Sequence, residues 1–437
     1  MPRHRILFVE DEDGWKTLLS QVARKEDFGE FEFRKDAVSA RKAIVARPVH
    51  IASLDQNIPA VPGEKPMADY GFLLLAEICD SRPFVRTLMY TAHGQVKFAN
   101  RAGRLQATEY FEKPLDDKKV NAVDIPDYFK LLRIFALGGT RADTGASEPP
   151  YWRWAMARGR AYLPGMLGNA AGQLHDACKD IFDSAKAADA LSALTERTAH
   201  LAWAQACALA QADKRKPPRR TDPPADLFGL LDVAKVLWRD LGDELGVWHG
   251  YITASSPDKK DLPTGQRLSD ALDRLGKIRN DVSHHTITLS AADLDKVGDE
   301  LLALTDGLAY WADRPLMANV RYHPDDNSRL QFTKLVAPPS WPVADLISSV
   351  SLLSTVDRGT SIQFLHRTEK AERLIDMFPF ASMVARPGKL PTPCLLLPRR
   401  NGCLRRSLDT GEEISDAPLT ARERDGINSF FGGGWAV

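Results

Sequence analysis

Short apolar runs alternate with helix-period patterns along the first third of the chain. Residues 6–9, 49–54 and 87–90 are nearly continuous apolar stretches of strand length. Trp15, Leu18, Leu19 and Val22 recur at helical spacing, as do Tyr128, Leu131, Leu132 and Phe135. This alternation predicts an α/β unit over residues 1–137, a parallel sheet wrapped by helices. Residues 138–150 (GGTRADTGASEPP) are polar and rich in Gly and Pro, and read as a linker.

The period then becomes helical throughout residues 151–314, predicting an all-α bundle. Leu174, Cys178, Ile181, Phe182 and Ala185 share one helix face; Leu230, Ala234, Leu237, Trp238, Leu241 and Leu245 share a second. A third runs through Leu294, Val297, Leu301, Leu304, Leu308 and Trp311, with Ser290 and Asp293 placed as a capping pair. Residues 214–224 (KRKPPRRTDPP) interrupt the pattern as a basic, Pro-rich loop, a candidate contact for RNA phosphates or a solvated connection. Residues 315–437 predict a small β-rich α+β domain. Strands are expected at 329–336, 361–366 and 394–397, and helices at 369–377 and 420–430.

Composition narrows the function classes. Lys+Arg and Asp+Glu both number 58, so the chain has no net charge, and no short helix-turn-helix pair with a basic recognition helix is visible. Both observations argue against DNA as the partner. The five cysteines are scattered without a CxxC pair, which argues against a disulfide framework or a zinc site. No run approaches the roughly 20 apolar residues that span a bilayer, and no signal peptide is visible, so a cytoplasmic location with no membrane partner is expected.

The predicted strand ends carry the chemistry. Glu10 and Asp11 follow the first strand, Asp55 (in LDQNIP) the third, Thr91 (in MYTA) the fourth and Lys113 the fifth. In an open parallel sheet these positions converge outside the carboxyl ends of the strands. Phosphoryl transfer to a carboxylate needs a nucleophilic Asp, a divalent metal and a cation for the remaining oxygen, and this set offers each. In these residues and their order the segment resembles the receiver domain of two-component response regulators, with a flavodoxin-like five-stranded fold. The resemblance implies that Asp55 takes phosphate from a histidine kinase or phosphotransfer protein. It implies that Mg²⁺ is held by Glu10, Asp11, Asp55 and the backbone carbonyl of Asn57. Thr91 and Lys113 would engage phosphoryl oxygens, and Tyr110 would be the aromatic switch. Residues 59–71 form a longer link into the next helix than the family usually has, either tuning partner choice and phosphoryl lifetime or serving as a tolerated surface loop.

In the helical part, RLGKIRNDVSHH (274–285) lies on an amphipathic segment with Leu268, Leu272, Leu275 and Val282 at helical spacing. Asn280 and His284 are four apart and share a face. Arg279–Asn280 followed by His284 or His285 resembles the marker of the HEPN superfamily of helical domains. That resemblance implies a metal-independent ribonuclease, the His moving the 2′-hydroxyl proton and the Arg stabilising charge on phosphorus. It also implies a homodimer that joins two motifs, with RNA as the partner and stress or phage defence as the setting. Two other readings stay open: a non-catalytic binding module, and a plain bundle in which Arg279 and Asn280 bond helix ends while His284 and His285 sit at the favourable C-terminal dipole.

Overall fold

The computed structural model of the chain describes residues 4–92, 96–113, 124–217, 226–252, 268–284, 288–323, 326–336, 343–347, 361–367, 372–386, 388–399, 402–415 and 417–431. It divides into two compact units, Met1–Ala155 and Met156–Val437.

The first unit alternates strand and helix: β1 (His4–Val9), α1 (Asp13–Ala23), β2 (Gly29–Arg34), α2 (Ala37–Ala46), β3 (Ile51–Leu54), α3 (Ala68–Ser81), β4 (Arg86–Thr91), α4 (Val96–Arg104), β5 (Glu109–Glu112) and α5 (Asp124–Leu137). The strands form one parallel sheet in the order β2-β1-β3-β4-β5, the flavodoxin-like order. β1, β3 and β4 are buried at every position, because helices cover both faces, and strands so covered read as near-continuous apolar runs. Trp15 and Leu19 of α1 and Tyr128, Leu132 and Phe135 of α5 pack on one face around Phe8 and Tyr90. Residues of α2, α3 and α4 pack on the other around Leu7, Ala52 and Met89. The edge strand β2 instead alternates Glu and Phe, with Phe31 and Phe33 on the α1–α5 side.

Residues 138–150, expected as a linker, pair as a short hairpin, β6 (Gly139–Thr140) with β7 (Ser147–Glu148), within the first unit. Its anchor is Arg86, buried in β4, which donates to the Phe135 carbonyl at 2.9 Å and to Glu148 at 2.8 Å. Composition marks the turn residues correctly, but cannot show that a buried arginine on a distant strand ties them down.

The helical series continues with α6 (Tyr151–Tyr162), α7 (Gly165–Ala177), α8 (Ser184–Ala212), α9 (Leu227–Leu241), α10 (Val247–Ile252), α11 (Leu268–Ser283), α12 (Ala291–Lys296) and α13 (Gly298–Asp313). α8 is the hub: Ala-rich and buried over most of its length, it packs against α7, α9 and α11. All three expected faces are broken; the second stops with α9 at Leu241, and Leu245 lies in the 3-10 turn Gly242–Leu245 beyond it. The face from Leu174 to Ala185 is split, since α7 ends at Ala177 and Asp183 caps a new helix by accepting from the Lys186 N–H; Ile181, in the link, is 88 % exposed. The third face is likewise two helices, α12 with the expected Ser290–Asp293 capping box, and α13 after a break at Val297.

The strand-rich remainder holds β8 (Met317–His323), β9 (Asp326–Lys334), β10 (Val343–Ile347), β11 (Ile362–Arg367), β12 (Glu372–Asp376), β13 (Ala381–Arg386), β14 (Lys389–Arg399), β15 (Gly402–Ser407), β16 (Glu413–Ile414) and α14 (Ala421–Phe431). They form two antiparallel sheets, β10-β9-β8-β11-β12 and β13-β14-β15-β16. The helix expected at 369–377 is strand β12 where described; its charged residues sit half-buried at a sheet edge and pair with β11, Ile375 facing Phe364. Pairing with the preceding strand there overrides a helix-favouring local composition. Of the basic loop at 214–224, residues 218–224 lie outside the described residues.

Candidate functional site

Because β1, β3, β4 and β5 run the same way, their C-terminal ends share one edge of the sheet. Ladder hydrogen bonds extend one residue past the strands and set the site: Asp55 N–H donates to the Val9 carbonyl (2.9 Å), Glu10 N–H to Arg34 (2.9 Å) and Lys113 N–H to Thr91 (2.7 Å). Glu10, Asp11 and Asp55 thereby bring carboxylate oxygens within 4.8 Å of one another. Lys113 Nζ donates to Glu10 Oε2 at 2.6 Å and to Asp55 Oδ2 at 2.7 Å. Asp55 Oδ1 accepts from the Gln56 N–H at 2.6 Å. Glu10, Asp55 and Lys113 are buried, and Asp11 is half-buried at the rim.

The charges do not balance: among the described residues here, three carboxylates face one ammonium. Burial, resisted by Lys113 and reinforced by Asp55, pushes the Glu10 carboxyl from its ordinary 4.5 to about 7. Burial and Asp55 push Asp11 up as well. Burial works against the Lys113 ammonium, but the Asp55 and Glu10 charges outweigh it and hold the group above the ordinary lysine range.

Asn57 is half-buried two residues beyond Asp55, and its Oδ1 is enclosed with no partner among the described residues. Thr91 is fully buried at the end of β4. Tyr110, in β5 opposite Met89, is half-buried against the α2–α4 side of the core. The structure thus gathers Glu10, Asp11, Asp55 and Lys113 in one crevice, with Thr91 and Tyr110 on the two strands beside it.

Sequence reasoning missed the supports. Trp15 and Tyr90 hold their rings 5.4 and 5.5 Å from Lys113 Nζ, placing the ammonium over two π faces. Gly71, the second, lies at the start of α3 with its N–H donating to Gln56 O (3.1 Å). A Cβ there would collide with the carbonyl oxygen of Asp55 and the backbone of Gln56, so glycine lets α3 approach the strand end. A glycine after a long insertion was the available signal. The insertion is built into the fold: the Pro59 and Ala60 carbonyls accept from the first N–H groups of α2, and Ile58 bridges Met67. It walls a cavity of about 470 Å³ that also touches Asp11, Lys35 and Asp36.

In the second unit, Arg279 lies half-buried on α11 and donates to Glu196 Oε2 on α8 and to Asn280 Oδ1, each at 3.1 Å. Asn280 is half-buried and His284 exposed just past the helix end. His285 lies outside the described residues. Arg279 is therefore engaged by Glu196 and Asn280.

The fold and the strand-end crevice define a class: a flavodoxin-like α/β domain that gathers carboxylates around a buried lysine. Residues 6–123 match the model of the response regulator receiver domain, and that segment is a receiver domain. Sporulation initiation phosphotransferase F of Bacillus subtilis (strain 168) is 26% identical over 116 residues, 26% of this chain and 86% of that protein. Among solved structures, a CheY-like response regulator receiver domain protein from Methanospirillum hungatei JF-1 is 21% identical, covering 30% of this chain and 93% of its own, with a TM-score of 0.25. The response regulator domain of Thermotoga maritima CheB is 18% identical over 30% of this chain and 94% of its own, also at 0.25. No helix among the described residues is long and apolar enough to cross a membrane.

Proposed function

We propose that the chain is a cytoplasmic, phosphorylation-controlled response regulator in which Asp55 accepts phosphate from a histidine kinase or phosphotransfer protein and thereby governs the second unit. The observation that carries this reading is the buried Asp55 carboxylate held by Lys113 beside two further acids. An Asp55 oxygen attacks the phosphorus of a phosphohistidine; the O–P bond forms as the P–N bond breaks, and the imidazole leaves with the electron pair. Lys113, already on Asp55, moves with the new negative charge onto a phosphoryl oxygen, and the Thr91 hydroxyl binds another. Tyr110 follows Thr91 inward.

The residues present fit a divalent cation: an all-oxygen donor set with excess negative charge suits Mg²⁺. Glu10, Asp11 and Asp55 would hold it, with the carbonyl of Asn57, and when bound it offsets charge on the transferred group. Acid-labile phosphate incorporation from acetyl phosphate tests the assignment. The wild-type chain should label and Asp55→Asn should not; equal labelling of both would refute it.

For the output, two readings compete: a HEPN-like homodimer that cleaves RNA through Arg279, Asn280 and His284 or His285 in phage defence, and a non-enzymatic module that binds a ligand or protein. The engagement of Arg279 by Glu196 and Asn280 favours the binding module. Incubating the acetyl-phosphate-treated chain with tRNA and total RNA decides. Intact RNA supports binding, whereas cleavage lost in both Arg279→Ala and His284→Ala would establish the nuclease.

A further inference from the structure

Arg279 opens onto a cavity of about 210 Å³ inside the second unit, walled by α8, α9, α11 and the strands β14 and β15. Its polar lining is Glu196, His200, Asp226, Arg279, Arg399 and Arg406. Glu196 is shared by two guanidiniums: Oε2 accepts from Arg279 at 3.1 Å, and Oε1 faces Arg406 at 3.0 Å. Asp226 is committed elsewhere, capping α9 through the Gly229 N–H at 2.7 Å. Arg399, half-exposed, is paired with Glu413.

Donor capacity is left over. His200 is only 6 % exposed and lines the cavity, and among the described residues its Nδ1 and the buried Nε groups of Arg279 and Arg406 have no hydrogen-bond partner. Burial and the surrounding arginines, Arg406 and Arg279 foremost, hold His200 well below the ordinary histidine range, so the imidazole is neutral and the local field is positive despite Glu196. Buried donors without acceptors are costly, and arginine pairs strongly and often bidentately with phosphate oxygens.

We propose that this cavity binds a phosphoryl group carried by a small molecule, either inorganic phosphate or the phosphate of a mononucleotide. Two arginines sharing one carboxylate leave one positive charge for a bound oxyanion, and the planar guanidinium fork suits phosphate oxygens. The volume lies below the ~300–1,000 Å³ of sites for drug-sized ligands, so the cavity encloses the phosphoryl group and a few more atoms, and the rest of a mononucleotide would lie outside it. Leu230, Leu397 and Leu404 supply the apolar wall against which those atoms rest. The arginines come from helices and strands far apart in the chain, so the site exists only when the bundle and the β14–β15 hairpin are folded together. This inference deepens the binding-module reading of the second unit and does not depend on phosphate transfer to Asp55.

Isothermal titration of the full chain at low salt, repeated in an Asp55→Asn background, separates the two readings. The titrants are inorganic phosphate, AMP, acetate and a short 5′-phosphorylated oligoribonucleotide. Arg399→Gln, which removes a half-exposed positive charge from the lining, should weaken phosphate and AMP about tenfold. Glu196→Gln, which frees both guanidiniums, should tighten them several-fold; a purely structural Glu196 would give no tightening. These two variants also distinguish the cavity from phosphate bound beside Lys113, which neither would affect. AMP binding above phosphate names the nucleotide as the source, and equal affinity names phosphate. Acetate binding as well as phosphate, an oligoribonucleotide exceeding AMP, no binding by any titrant, or affinities unmoved by both substitutions would each overturn the proposal.

Discussion

Replacing Glu10 with Gln removes a negative charge that the receiver fold holds against its own burial. In the folded protein burial, opposed by Lys113 and assisted by Asp55, pushes this carboxyl from 4.5 to about 7. A carboxyl whose folded pKa is raised contributes stability that is fully present below the unfolded value and is lost as pH rises through the folded one. At 1.36 kcal/mol per pKa unit, the wild-type receiver without metal loses about 3 kcal/mol between about pH 4.5 and pH 7 and above. Glu10→Gln should avoid that loss and be more stable by about 3 kcal/mol at about pH 7.5. It keeps a shallower slope, because Asp11 is raised in the same direction. Millimolar Mg²⁺ should flatten the wild-type slope and leave Glu10→Gln nearly unchanged. Amide hydrogen exchange of the β1 and β3 segments in the full chain, followed across this pH range, reads the local unfolding free energy. Parallel pH profiles for the two proteins, or a less stable Glu10→Gln at neutral pH, would refute the reasoning.

Gly71→Ala should destabilise the receiver by about 1–3 kcal/mol, since the added methyl meets the backbone of Asp55 and Gln56; thermal unfolding measures the loss, and phosphate incorporation at Asp55 should slow with it. Arg86→Met should release the β6–β7 hairpin by removing the bonds to Phe135 and Glu148, seen as faster amide exchange over residues 139–148 with the central strands still protected. In the second unit, burial pushes the Glu423 carboxyl up, but Arg405 and Thr420 outweigh it and hold the group below its ordinary range. Stability from this pair is therefore present above the unfolded pKa and lost as pH falls through the folded one. Glu423→Gln should cost about 3 kcal/mol at neutral pH and flatten the acid limb of a urea-unfolding series.

The receiver was legible in the chain because its determinants are local. A strand buried on both faces reads as a near-continuous apolar run, as residues 6–9 do and 51–54 do but for Ser53, and in a parallel sheet the residue after each strand is delivered to one edge. Glu10, Asp55 and Lys113 could thus be placed in one crevice from order alone. The aromatic cradle of Lys113 and the close approach at Gly71 were not readable, since each joins different elements of the fold.

In the second unit the amphipathic periods located helices but not their ends. The breaks before Ser184 and at Val297 depend on capping and on what each face meets. At residues 372–376 the pairing partner, and not the intrinsic preference, chose strand over helix. The short Arg279–Asn280 pattern gave no hint that its acidic partner would come from α8, or that Arg406 of β15 and His200 would share that partner's cavity. Local sequence determined which segments bury an apolar face and which residues stand at strand ends. Tertiary structure alone decided which distant charges face each other, because a buried charge is settled by its spatial neighbours and not by its neighbours in the chain.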